Sequence, residues 1–212
     1  MYPKRLFDIL FASAVLALGS VPLLLLAVLV RWRLGTPVLF VQERPGKGGR
    51  LFKMVKFRTM TDACDAGGKL LPDKERITPL GNFLRRTSLD EFPGFWNVLR
   101  GDMSVVGPRP LLPRYLSRYT PEQARRHEVP PGITGWTQVN GRNTLSWEKK
   151  FEYDVWYVDN RSFRLDVKIV LMTVAKVIRR DDISAANHAT MPEFLGTQVG
   201  GDKTRDCAGN GE

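Results

Sequence analysis

The sequence predicts an α+β fold: a mostly helical, membrane-associated domain with a small β-hairpin and an apolar N-terminal helix. Three observations carry this. Residues 9–30 hold no charge and are mostly Leu, Val, Ala, Ile and Phe. Two short strand-like runs, Pro37–Glu43 and Leu51–Thr59, flank a turn-rich connection. From residue 80 onward, apolar residues recur at helical spacing.

The 22 positions Ile9–Val30 make a helix of about 33 Å, enough for a hydrocarbon core of about 30 Å. A cleaved signal peptide has a shorter apolar region and a small-residue cleavage site. Here Arg31 and Arg33 follow directly, so the segment reads as a permanent anchor. Lys4 and Arg5 precede it. The positive-inside rule then places both ends in the cytoplasm, which a re-entrant hairpin satisfies and a straight span does not. Pro22, just after Gly19 and Ser20, removes a backbone donor and clashes with the carbonyl four residues back, so the helix kinks there. A serine hydroxyl can satisfy a freed carbonyl in lipid. A kinked span and a re-entrant hairpin both fit the residues.

The hairpin connection Arg44–Arg50 is glycine-rich around Lys47. No Ser or Thr follows the lysine and no helix pattern starts there, so it reads as a turn rather than a Walker loop. Asp62–Lys74 reads as a polar mobile loop. Leu80–Arg86 predicts a short helix. Leu89–Leu99 predicts another, with Phe92, Phe95, Trp96 and Leu99 on one face. Ser88-Leu89-Asp90-Glu91 matches a capping box, and Pro93 makes Asp90 a rival N-cap. Either frame puts two adjacent carboxylates at a helix N-terminus, where anions are attracted. Arg85, Arg86 and a Mg²⁺ ion can balance them beside a phosphorylated substrate, since Mg²⁺ prefers one or two carboxylates plus phosphate oxygens.

Pro130–Trp136 is turn-dense and leads to Gln138, Asn140 and Arg142, which fit either nucleotide contacts or backbone satisfaction in turns. Ser146–Val158 predicts a capped helix with Trp147, Phe151, Val155 and Trp156 near one face. Leu165–Arg180 predicts a helix whose wide apolar face suits a core or a membrane interface equally. Gly200–Glu212 has the composition of a disordered tail.

The chain carries 32 Lys and Arg against 22 Asp and Glu, a net charge of +10. That excess attracts nucleic acid, anionic lipid or phosphorylated small molecules. Cys64 and Cys207 lie outside any CxxC pattern, which fits a reducing compartment. His127 and His188 lack metal-ligand spacing, and His127 reads as an exposed helix residue.

Over residues 1 to about 184 the chain resembles the bacterial sugar transferase family, the monotopic phosphoglycosyl transferases. The resemblance rests on KRLFD, QERPGKGGRLFKMVKFRTM, TSLDEFPGFWNVLRGDMSVVGPRP and PGITGWTQVNGRNTLSWEKKFEYDVWYVDN, in that order. It implies transfer of a sugar phosphate from a UDP-sugar to polyprenyl phosphate at the cytoplasmic face of the bacterial inner membrane, with UMP released. It implies that Asp90 is the nucleophile and forms a covalent phosphosugar intermediate, with Mg²⁺ held at Asp90 and Glu91 as its partner. Lys56, Arg58, Arg85 and Arg109 match basic positions that bind phosphate or uridine. Gln138, Asn140 and Arg142 match a region shaping the nucleotide pocket. Asp159 and Asp166 read as structural. The family's anchor is a re-entrant helix broken at a proline, here Pro22. The implied organisation is a re-entrant helix over 1–34, a catalytic domain over 35–184 and a tail over 185–212.

Two residues depart from the pattern. Val21-Pro22 stands where Ser-Pro is usual, with Ser20 one residue early, and Gly94 stands where a larger polar residue is common. A bitopic transferase without a covalent intermediate is a rival chemistry. A non-catalytic basic module for anionic lipid or nucleic acid is a rival class, but it leaves Asp90-Glu91 unexplained and the chain has no nucleic-acid motif. Among UDP-activated hexoses, N-acetylhexosamines and bacillosamine-type sugars, the residues do not choose.

Overall fold

The computed structural model describes residues 3–141, 145–179 and 193–197. Arg142, and the tail expected to be disordered over Gly200–Glu212, lie outside them.

The N-terminal apolar segment folds as two helices, α1 (Pro3–Leu18) and α2 (Ser20–Leu34), bent by 63° at Gly19. The bend falls where proline chemistry puts it. Pro22 has no N–H for the Leu18 carbonyl, and its ring crowds that group. The Ser20 hydroxyl donates to Ala17 O at 2.8 Å. The serine therefore still satisfies a carbonyl at the break, although it sits one residue earlier than the family pattern. Among the described residues no single helix is long and apolar enough to cross a membrane; the bent pair together has the length and composition.

The KRLFD motif docks α1 onto the domain. Lys4 Nζ donates to Asp166 Oδ2 at 2.6 Å and to Val106 O at 3.2 Å. Arg5 donates to Val98 O and Leu99 O at 2.5 and 2.7 Å, capping carbonyls at a helix end. Asp8 Oδ1 accepts from Ser104 Oγ and Val105 N, both at 3.0 Å. Phe7, Phe11, Val15 and Leu16 then pack on the main core around Val98, Met103, Val105, Tyr157 and Ile169. At the other end Val30 and Leu34 pack with Phe57 and Leu84. Both ends of the bent pair are thus held by one domain.

The expected hairpin forms from β1 (Leu39–Pro45) and β2 (Leu51–Phe57), antiparallel, with Gln42 opposite Met54 and Arg44 opposite Phe52. β1 runs two residues further than expected, so Arg44 is a strand residue and the turn starts after Pro45. The segment after β2 is closed by isolated bridges Met60–Ile77 and Cys64–Leu70, and Asp73–Arg76 forms a short helix, α3. The expected helix at 80–86 is α4 (Pro79–Thr87), capped by Thr78, whose side chain accepts from Gly81 N.

The single helix expected over 89–99 is instead two pieces: a 3₁₀ turn, Leu89–Gly94, then α5 (Phe95–Arg100). Ser88 adopts a left-handed conformation (φ 57°) and its side chain caps nothing, so the capping box does not form. Gly94 is explained by packing: a Cβ there would sit 3.0 Å from Ile133 Cδ1.

A second sheet was not anticipated. β3 (Ser104–Val106) and β4 (Gly132–Thr134) are parallel and three residues each. Both are too short to show a period. Their backbones, with Gly107 and Gly135, approach so closely that a Cβ on Gly132 would lie 2.1 Å from Gly107 N. The glycines of GPRP and PGITG are therefore an interlock.

The remaining helices are α6 (Pro121–Ala124), α7 (Trp136–Val139), α8 (Trp147–Asn160) and α9 (Phe163–Arg179). Ser146 caps α8 as expected, accepting from Lys149 N. α9 buries Asp166 and Ile169 against the core and leaves Leu171, Val174 and Ile178 exposed. Asp166 is structural, bound by Lys4 and the Tyr157 hydroxyl. Asp159 pairs with Arg125 at the surface. His127 corrects an expectation. It is half-buried with Nδ1 3.2 Å from Gly46 O, and burial pushes its pKa down to about 4. The segment 193–197 inserts Phe194, 2% exposed, among Tyr115, Tyr119, Trp147 and Phe151.

Candidate active site

Asp90 and Glu91 lie in the first turn of the 3₁₀ segment, which packs against β2. The buried Asn97 side chain fixes that contact. Its Nδ2 donates to Lys53 O at 2.8 Å and its Oδ1 accepts from Val55 N at 3.1 Å. Lys56 follows on the same strand. Arg85, near the end of α4, is steered by its Nε bond to Thr59 Oγ1 at 3.0 Å. Arg109 is delivered by the interlocked Gly107 turn.

Asp90 is only 5% exposed, and no hydrogen bond or ion pair reaches its carboxylate among the described residues. Burial, then repulsion from Glu91, push its pKa up to about 6, while Lys56, Arg109 and Arg85 pull the other way. The chain therefore keeps a carboxylate largely ionised at neutral pH without pairing it. Glu91 is treated differently. Its Oε1 accepts from Arg109 Nη2 at 2.5 Å in a two-pronged pair. Burial lowers the Lys56 pKa, with Asp90 countering.

Arg109 is itself held. Arg126 Nη2 donates to Arg109 O at 2.7 Å, and Arg126 Nε and Nη2 bind Asp154 Oδ2 at 3.0 and 2.7 Å. Thr137 Oγ1 donates to Asp154 Oδ1 at 2.6 Å. Arg126 and Asp154 are 3% and 4% exposed. Neither was picked from sequence, since nothing local marks a buried ion pair between residues 28 positions apart.

Of the expected site residues, the fold brings together Asp90, Glu91, Lys56, Arg85 and Arg109. Arg58 is buried and bound to Thr36 O, Met60 O and Asp62. Asn140 Nδ2 donates to Trp136 O at 2.8 Å, closing α7. Gln138 buries an amide with no partner among the described residues. A cleft of about 90 Å³ opens beside Glu91 and Arg109, between Lys56 and the β1 residues Gln42 and Arg44.

Adjacent carboxylates set among three cations, next to a cleft of about 90 Å³, lie on a chain whose N-terminus is a bent apolar helix pair. The chain belongs to the bacterial sugar transferase family, whose profile matches residues 1–180. It is 55% identical over 197 residues to a Bacillus subtilis (strain 168) protein named "Uncharacterized sugar transferase EpsL", covering 93% of this chain and 98% of that one. A Klebsiella pneumoniae UDP-glucose:undecaprenyl-phosphate glucose-1-phosphate transferase is 44% identical over 183 residues, 82% of this chain and 39% of that protein. A Salmonella typhimurium (strain LT2) undecaprenyl-phosphate galactose phosphotransferase is 37% identical over 195 residues, 84% of this chain and 41% of that protein. The chain thus spans about two-fifths of these longer relatives.

Proposed function

We propose that the protein transfers a sugar 1-phosphate from a UDP-sugar to polyprenyl phosphate, the first membrane step of glycan assembly, through a covalent intermediate on Asp90. The observation that carries this is the buried Asp90 carboxylate, unpaired among the described residues, beside a paired Glu91. A structural acid would be neutralised by the neighbouring arginines; this one is left free to attack. An Asp90 oxygen attacks the sugar-bearing phosphorus, the bond to the bridging oxygen breaks, and UMP leaves. An oxygen of polyprenyl phosphate then attacks the same phosphorus and frees the aspartate, leaving polyprenyl-diphosphate sugar. The acid needs no base, because at pH 7 a group with a pKa of about 6 is roughly nine-tenths ionised.

Arg109, Lys56 and Arg85 offset repulsion between nucleophile and diphosphate. Mg²⁺ would be held at Asp90 in this reading, since the ion commonly takes one or two carboxylates together with substrate phosphates. When bound, the ion would supply charge neutralisation at the diphosphate.

The bent anchor supports a re-entrant helix that enters and leaves the cytoplasmic leaflet. Both of its ends are bound to one domain, and Leu10, Leu18, Val21, Leu24 and Leu25 are exposed around the bend. In this reading residues 1–34 lie in the membrane and the remainder on its cytoplasmic face, against anionic lipid. The relatives' names support glucose and galactose as donor sugars. The test is UMP release from UDP-glucose and UDP-galactose with undecaprenyl phosphate and Mg²⁺. A UMP burst without acceptor and labelled phosphosugar on the protein are expected for wild type. Both should vanish in Asp90→Asn, and substantial turnover by that variant overturns the assignment.

A further inference from the structure

β1 and β2 alternate faces residue by residue, and their register puts Phe40, Gln42 and Arg44 on the face that carries Lys56, Met54 and Phe52. Arg44 thereby lines the cleft of about 90 Å³ together with Lys56, Glu91 and Arg109. Its bonding is unusual for a guanidinium in such a place. Nη2 donates to the neutral Gln42 Oε1 at 2.7 Å. Nε is buried and has no partner among the described residues. No salt bridge forms to Arg44 among them; Glu91, the nearby acid, is gripped by Arg109.

Even half-burying a cation without a salt-bridge partner is costly. Burial and the Arg109 charge, the two largest influences, lower the Arg44 pKa to about 10, which still leaves it a cation at neutral pH. A cation kept in a cleft with Lys56 and Arg109, its neighbouring acid already paired, is suited to an anion that arrives from outside.

We propose that Arg44, oriented by Gln42, is a further phosphate-binding residue of this site, gripping phosphate oxygens in the cleft between β1 and Arg109. The proposal rests on the phosphoglycosyl-transfer reading and adds to it a β1 residue that lines the cleft with Lys56, Glu91 and Arg109. The ligand chemistry is a phosphate or diphosphate group, carried by the nucleotide donor or by the lipid acceptor.

Steady-state kinetics of Arg44→Gln and Arg44→Lys in the full chain, varying UDP-sugar and undecaprenyl phosphate in turn, tests this. Losing one charged hydrogen bond should raise the KM of the bound substrate roughly tenfold to a hundredfold in Arg44→Gln. Arg44→Lys should recover part of it, since the charge stays and the planar fork is lost. A rise in donor KM assigns the subsite to the nucleotide, and a rise in acceptor KM assigns it to the lipid phosphate. Thermal melting separates a structural role: removing a half-buried charge that has no salt-bridge partner among the described residues should leave Tm unchanged or higher. Both KM values unchanged in Arg44→Gln, or a lowered Tm that accounts for lost activity, overturns the proposal. Absence of UMP release by wild type with every UDP-sugar would instead defeat the underlying reaction assignment.

Discussion

Replacing Asp90 by Asn should make the protein more stable while abolishing its chemistry. The side chain is 5% exposed and its pKa rises from 3.8 to about 6. A raised carboxylate pKa means that the folded state binds the proton more tightly than the unfolded state. Stability contributed by the protonated form is present below pH 3.8 and is lost as pH climbs to about 6. The shift of roughly 2 units corresponds to about 3 kcal/mol of disfavoured ionisation, as an upper bound. Asn keeps the shape without the charge, so above pH 6 the variant should gain up to that amount. For a chain of this size that is a Tm increase on the order of 6–12 °C. The assay is thermal melting of wild type and Asp90→Asn in lipid nanodiscs from pH 3.5 to 8. The difference should be near zero at the acid end, grow between pH 4 and 6, and then stay flat. A pH-independent difference, or a variant less stable at pH 7, refutes the reasoning that Asp90 is a desolvated, unpaired carboxylate.

The same ionisation should appear in rate. The acceptor-free UMP burst should fall about twofold at pH 6 and about tenfold at pH 5, and Glu91→Gln should move this limb to lower pH by removing the like charge beside Asp90. Arg126→Met strands buried Asp154 and should cost about 3–5 kcal/mol by chemical or thermal unfolding. Adding Asp154→Leu should restore stability but not full UMP release, because Arg109 O stays without the bond that Arg126 supplied. Cysteines introduced as Pro3→Cys and Trp32→Cys, in a chain without Cys64 and Cys207, should both react with an impermeant thiol reagent from the cytoplasmic side. Protection of one of them overturns the re-entrant topology.

Much of the architecture was legible because its signals are local. The apolar run, the proline break, the hairpin and the helix capped by Ser146 each announce themselves within a dozen residues. The acidic pair stood out through its flanking cations, and Lys56, Arg85 and Arg109 do converge on it. The errors share a cause. The Ser88 capping box is a correct pattern that the chain cannot use, since a left-handed turn at Ser88 redirects the backbone toward β2. Arg44 was read as a turn residue because Pro45-Gly46 punctuates the sequence there; two more residues of strand pairing move it into the cleft. His127 looked exposed among arginines, yet the hairpin turn at Gly46 covers it. The parallel pair β3–β4 is short, almost entirely buried and joined across intervening helices, so no periodicity betrays it.

By itself the sequence determined the apolar N-terminal segment, the family and the acids, because those depend on composition and contiguous motifs. Only the tertiary structure decided which charges matter to which. Asp90 and Glu91 are neighbours of the same type, and nothing in their order says that one is paired and the other, among the described residues, is not. Arg109 reaches Glu91 across 18 positions, Arg126 holds Arg109 from another segment, and burial then sets each acid's proton affinity. Those are properties of distance and desolvation, which exist only once the chain has closed on itself.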